Sequence, residues 1–391
     1  MRKIIIVKLI LLISNIVYCN TNRTEIKSSI HKKCNADTLF LKLMKLAEEK
    51  ENSGAYFEAI KYYTKALIHD STSGTAYIQR ARCKQALNDL ESADSDYQKG
   101  INLGLNLKQS SETYYNKGII KIILGEYIEA KSNLDVSIKL NPEFTDAYYN
   151  RSIIRGKLGD FEGQIEDINI VLQLRPKDDN AWNSRGIAKS ILGDLNGAIE
   201  DYNKSIEINK SNADAYFNRG VVNYQLMKYK LSLEDFNQAI NLKPDAETYN
   251  RRGNSKHKIN DLPGAVEDYS QAIQLEPLSF VGYINRGIIQ IEMKKFESAL
   301  TDLDASVILN PDYADTYYYR AIASEEMKNL EESLDNYSMA IFLNPEFAEA
   351  YFRRGMILKK KGYKDESCQD FYQSQILGFE EAVNMLKNNC R

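Results

Sequence analysis

The sequence predicts an all-α protein in which helix pairs are stacked in a row. Three observations carry that prediction. The phrase AYFNRG, beginning at Ala215, returns as AYYNRS from Ala147, GYINRG from Gly282 and AYFRRG from Ala350, and weaker copies midway set a repeat of about 34 residues. Inside each copy, large and small residues recur at the three- and four-residue spacing of a helix face. Six of the seven prolines fall at a single position of the repeat, where they would stop a helix. A sustained repeat overrides the two or three domains that a length of 391 residues would suggest.

Residues 1–19 open with Arg2 and Lys3, and an apolar run follows from Ile4 to Tyr18, interrupted by Lys8, Ser14 and Asn15. This reads as a secretory signal peptide. The run is too short and too broken for the roughly 20 apolar residues of a membrane-spanning helix. The alternatives are an uncleaved anchor and lipidation of Cys19, because Ile16-Val17-Tyr18-Cys19 resembles a bacterial lipoprotein box. Bulky Tyr18 stands where that box requires a small residue. Residues 20–39 follow as a linker.

Ten units then occupy 40–379, starting near Phe40, Gly74, Ser111, Thr145, Asp179, Ala213, Ala246, Phe280, Ala314 and Ala348. Three extra residues fall between units two and three, within Leu103 to Ser110, and one is missing before unit seven. Both changes are expected in turns, where length costs least. Position 4 of each unit is large and mostly aromatic, as at Tyr148, Trp182 and Tyr216, and position 8 is always small, as at Ser152, Gly186 and Gly220. Positions 4, 8 and 11 share a face of a first helix, and 20, 24 and 27 share a face of a second. Small residues at 8 and 20 let the two backbones approach, while the ring at 4 fills the gap. A final helix over 380–391 caps the array.

This pattern resembles the tetratricopeptide repeat (TPR) family over nearly all of the mature chain. The resemblance implies a right-handed superhelical solenoid of about ten helix-turn-helix units with a C-terminal capping helix. It also implies a concave groove lined by first-helix positions 2, 5, 6, 9, 12 and 13.

Position 7, usually apolar in the family, is arginine in eight units, and position 23 is aspartate in seven of those eight. In an antiparallel pair hinged near position 15 the two should face each other, giving structural ion pairs such as Arg151 with Asp167, Arg185 with Asp201 and Arg219 with Asp235. Matching aspartates argue against an arginine stripe for an acidic ligand. Position 6 is asparagine at Asn116, Asn150, Asn218 and Asn285. Such amides both donate and accept, so a spaced row of them suits the backbone of an extended peptide, as in the asparagine ladder of the sugar-transferring members of the family. Beside them, Tyr115, Tyr149 and Phe217 either contact a ligand or pack against the next unit. Arg251, His257 and Lys258 are the candidate contacts for an acidic group on a partner.

A formal charge of −3 provides no basic field, so nucleic acid is excluded as a partner. The family's carboxylate clamp for chaperone tails has no match in three consecutive units. The three histidines are far apart in the array, and neither a phosphate loop nor a dinucleotide glycine motif is present. No catalytic residue, metal or cofactor is therefore expected. Cys368 and Cys390 lie about eleven residues either side of a turn at Gly378-Phe379, which puts them level on adjacent antiparallel helices. A disulfide there would stabilise by about 3 kcal/mol, and two free thiols is the alternative. The closing pattern around these cysteines resembles the ends of bacterial extracytoplasmic arrays of the family.

The expected function is a non-catalytic adaptor that binds a protein or peptide in its groove outside the cytoplasm, either periplasmic or secreted. An envelope-associated assembly protein working through its convex face or edges is the alternative. Membrane association is expected only with a lipidated Cys19 or an uncleaved signal.

Overall fold

The computed structural model describes residues 37–390, and all regular structure among them is helical. The signal expected over 1–19, Cys19, most of the linker and Arg391 lie outside the described residues. Among those described, no helix is long and apolar enough to cross a membrane.

The chain divides into two compact units, one ending at Pro176 and one starting at Lys177. The first holds α1 (37–52), α2 (Tyr56–His69), α3 (Gly74–Ala86), α4 (Leu90–Asn102), α5 (Leu107–Ile123), α6 (Tyr127–Leu140), α7 (Thr145–Lys157) and α8 (Phe161–Leu174). The second begins with α9 (Asp179–Ile191), α10 (Leu195–Ile208), α11 (Ala213–Gln225), α12 (Tyr229–Leu242), α13 (Ala246–Lys258) and α14 (Leu262–Leu275). It continues through α15 (Phe280–Glu292), α16 (Phe296–Leu309), α17 (Ala314–Glu326), α18 (Leu330–Leu343), α19 (Ala348–Lys361), α20 (Lys364–Ile376) and α21 (Glu380–Asn389). Within each compact unit odd and even helices pair, and each even helix also packs on the next odd one. This is the TPR solenoid arrangement of consecutively packed helix pairs.

Two local differences from the sequence reading have simple causes. The linker assigned to 20–39 is already helical from residue 37. The insertion between units two and three does not stay in a turn, because α5 begins at Leu107, four residues before Ser111, capped by the Asn106 side chain accepting from the Gln109 amide at 2.8 Å. A good cap lets extra residues become an added helical turn.

The hinge of each pair is a left-handed residue. Gly125, Gly159 and Gly193 take it without steric cost, while Asn88, Met227, Asn260, Lys294 and Lys328 adopt the same positive φ, from 58° to 64°. Second helices stop at residues such as Leu140 and Leu174, one residue before the extended residue that precedes proline. Proline is not indispensable, since α10 ends at the equivalent Ile208 with Lys210 in the proline position.

The core lies between paired helices. The sequence reading assigned the gap above position 8 to the ring at position 4, but the side chain that sits there comes from position 24 of the second helix. A Cβ on Gly186 would lie 2.6 Å from the Tyr202 ring. Tyr63, Tyr97, Tyr202, Phe236, Tyr269, Tyr337 and Phe371 all hold this position and are fully buried.

Candidate functional site

The position-7 arginines are structural, and the position-4 ring belongs with them. Arg151 donates from Nε and Nη2 to the two Asp167 carboxylate oxygens at 2.9 and 2.6 Å, and Arg185 does the same to Asp201 at 2.8 and 2.7 Å. Arg219 reaches Asp235 at 2.5 Å. Equivalent pairs join Arg80 to Asp96, Arg252 to Asp268, Arg286 to Asp302 and Arg354 to Asp370. These seven aspartates are only 1–7% exposed, so each buried charge requires its partner. The guanidinium also lies over the position-4 ring, as Arg185 does over Trp182 at 4.6 Å.

Sequence reasoning missed a third contact of these arginines. Nη1 donates backwards to the preceding repeat: Arg80 to Thr64, Arg151 to Asp135, Arg219 to Asn203, Arg252 to Asn237, Arg286 to Ser270 and Arg354 to Ser338, at 2.6–3.0 Å. All six acceptors stand at position 25 of their own repeat, so one side chain ties three helices together. Lys117, where arginine is missing, likewise reaches back to Asp94 at 2.7 Å.

These contacts set local electrostatics. Burial by itself would raise the Asp96 carboxyl, but hydrogen bonds from Arg80 and Lys84 outweigh it and hold the group below the usual carboxylate range. Burial also opposes ionisation of Asp135, and Lys131 and Arg151 overcome it in the same way. The buried Cys83 thiol is pushed up to about 12, mainly by desolvation.

With the arginines committed, the remaining candidate surface is the first-helix face. On it, between α3 and α5, a cleft of about 410 Å³ is lined by Ile78, Gln79, Arg82, Glu112, Tyr115 and Asn116, among others. Arg82 is more than half exposed and has only a 3.7 Å approach to Glu51 for charge, while its Nη1 donates to Gln79 at 3.0 Å. The Tyr115 ring is held by Phe144, centroid to centroid 4.7 Å.

The other predicted groove residues are more occupied than the sequence suggested. Asn150 donates to the Tyr115 hydroxyl at 3.1 Å and to the Asp146 carbonyl at 2.9 Å, and Asn218 donates to Asn183 Oδ1 at 3.1 Å. Phe217 packs on Phe236 of its own helix pair at 5.9 Å. Tyr149 and Asn285 are both half-buried, on α7 and α15. In the basic cluster, His257 Nε2 lies 2.9 Å from both Glu292 carboxylate oxygens and Arg251 is 3.3 Å from Glu247, leaving Lys258 exposed. Carboxylates of the chain itself therefore already meet two of these three side chains.

Cys368 and Cys390 form a disulfide that ties α20 to the chain just after α21, and the Phe352 ring packs against Phe379 at 4.9 Å beneath the cap.

Comparison with known proteins agrees with this geometry. A family profile described as TPR repeat matches residues 191–226, and profiles described as tetratricopeptide repeat match 213–245, 111–144 and 348–375. Comparison with curated proteins gives no match. Among solved structures, a tetratricopeptide repeat protein from Parabacteroides merdae is 20% identical, covers 67% of this chain and 99% of its own, and superposes with a TM-score of 0.51. PilF of Pseudomonas aeruginosa is 20% identical over 54% of this chain and 99% of its own, at a TM-score of 0.48. The YrrB protein, described as a TPR protein with an unusual peptide-binding site, gives 20% identity, 48% and 96% coverage, and 0.43. With the repeat profiles matched in both compact units and every described pair built on the same hinge, the chain carries tetratricopeptide repeats.

Proposed function

We propose that the protein is a non-catalytic scaffold that binds an extended segment of another protein along its first-helix face, with the α3–α5 cleft as the main anchoring point. The observation that supports this reading is the composition of that cleft. Asn116 and Gln79 supply amides suited to a main chain, Tyr115 supplies a fixed ring, and Arg82 supplies a half-exposed cation held only by a long 3.7 Å ion pair with Glu51. Hydrogen bonds worth roughly 0.5–1.5 kcal/mol each would give weak to moderate affinity from a few such groups. The two described histidines, His69 and His257, fall in different compact units, so no histidine-centred reaction site is part of the proposal.

An exported location belongs to the same proposal. It is supported by the Cys368–Cys390 disulfide, a bond that persists in oxidising compartments, and by the leader-like residues 1–19.

The test is capture of binding partners from the exported-protein fraction on immobilised full-length chain, comparing wild type with the double variant Arg82→Ala, Asn116→Ala. Loss of the captured protein from the variant is expected. Equal capture by both chains would remove the cleft from the proposal.

A further inference from the structure

Position 29 of the repeat points away from the paired helices, and its character changes along the chain. Six consecutive repeats carry Asn102, Lys139, Gln173, Glu207, Asn241 and Gln274 there, and the next three carry Ile308, Phe342 and Ile376. These three apolar side chains are 80%, 76% and 60% exposed, at one register on α16, α18 and α20. Tyr372 and Met339, at positions 25 and 26, extend the same surface with 60% and 40% exposure. A lone exposed isoleucine is ordinary, but an aligned apolar row across three helices is the signature of an interface.

The second helices that carry the row have an acidic excess. Neither α16 nor α18 contains a lysine or arginine, and α20 has only Lys364 at its first residue. Asp304, Glu331 and Glu332 are met by Arg320 and Lys361 from the first helices. Glu297 and Asp335 are exposed on α16 and α18, at helical spacings from Ile308 and Phe342 that place them on the same faces, and Glu346 is exposed in the turn after α18. An apolar stripe with acidic margins repels an anionic bilayer and another copy of the same face alike, and it complements a helix that presents apolar residues flanked by cations.

We propose that the outer face of α16, α18 and α20 docks an amphipathic helix of a partner protein that carries lysine or arginine beside its apolar side chains. This surface is separate from the first-helix face, so the repeats would hold two partners by different chemistry.

The probe is a fluorescent Leu-Lys amphipathic helical peptide titrated with the full chain, read by anisotropy, with a Leu-Glu peptide as its charge-reversed counterpart. Wild type should bind the first and not the second. The triple variant Ile308→Asp, Phe342→Asp, Ile376→Asp should weaken binding by about tenfold or more, and Ile68→Asp, at the same register outside the row, should leave it unchanged. Circular dichroism melts establish that each variant is folded, and Phe342→Ser is read alone if the triple variant is not. Equal affinity of wild type and triple variant, or equal binding of both peptides, overturns the proposal. So does self-association, or binding to phosphatidylglycerol vesicles, that the triple variant abolishes.

Discussion

Repeats eight and nine hold the same arginine in opposite ways. Arg286 takes its charge partner from its own second helix, donating to both Asp302 oxygens at 2.7 and 2.6 Å, and meets only the neutral Ser270 hydroxyl behind it. In its own pair Arg320 finds a neutral amide, Asn336 Oδ1 at 3.3 Å, and a longer 3.5 Å contact with Glu332, while its nearest carboxylate, Asp304 at 2.8 Å, belongs to the repeat behind. What is kept is at least one close carboxylate per buried guanidinium, and the helix that supplies it can change. The position-7 charge is therefore a rule about the joint between repeats as much as about the pair.

The sharpest way to break this equivalence is to remove the carboxylate. Asp302→Ala leaves Arg286 with a serine alone, and the loss should be about 3 kcal/mol, the low end for an orphaned buried charge because this arginine is 22% exposed. Asn336→Ala should cost under about 1 kcal/mol, since a neutral hydrogen bond is lost while Asp304 stays. Urea unfolding combined with amide exchange along the repeats measures both, and equal losses would refute the exchange of roles.

Acid provides a second, smaller test. The folded carboxyls of Asp96 and Asp135 are depressed, so their stabilisation is complete above the unfolded value of about 3.9 and is lost as pH falls through the lower folded value. Amide protection in α3, α4, α6 and α7, taken relative to the intrinsic exchange rate at each pH, should fall over that acid interval and remain flat from neutral pH down to its edge. In Arg80→Met the Asp96 carboxyl keeps its burial but loses its strongest donor, so the acid loss around α3 and α4 should begin at higher pH. An unchanged profile would mean the pair contributes no linkage.

The smallest expected effect concerns the hinges. Met227→Gly relieves a side chain held at φ 58° and should stabilise by a few tenths to about 1 kcal/mol, offset in part by the greater freedom of glycine when unfolded. Lys294→Gly in repeat eight and Lys328→Gly in repeat nine should behave alike, because both hinges adopt the same geometry.

Much of the fold was legible because its requirements fall on single residue types. Only arginine and aspartate sixteen residues apart make the bidentate pairs of Arg151 and Arg185, and only very small side chains fit beneath the ring of Tyr202. The backward contact was hidden because Thr64, Asp135, Asn203 and Ser270 share no letter, only the ability to accept a hydrogen bond. The asparagine row was visible as residue types, but what those amides touch depends on side chains a whole repeat away, as Asn150 does on Tyr115. The cleft beside Asn116 could not be read because its lining comes from helices on either side of the irregular junction.

The backward reach of Nη1 gives the array a polarity. During synthesis each new repeat leaves the ribosome after the repeat that carries its Nη1 acceptor, so this contact never has to wait for a partner still to be made, whereas the position-23 aspartate always follows its arginine. Shortening from the carboxyl end at a repeat boundary would leave these backward Nη1 contacts of the remaining repeats in place, whereas trimming from the amino end removes the Nη1 acceptor of the arginine at the fresh edge.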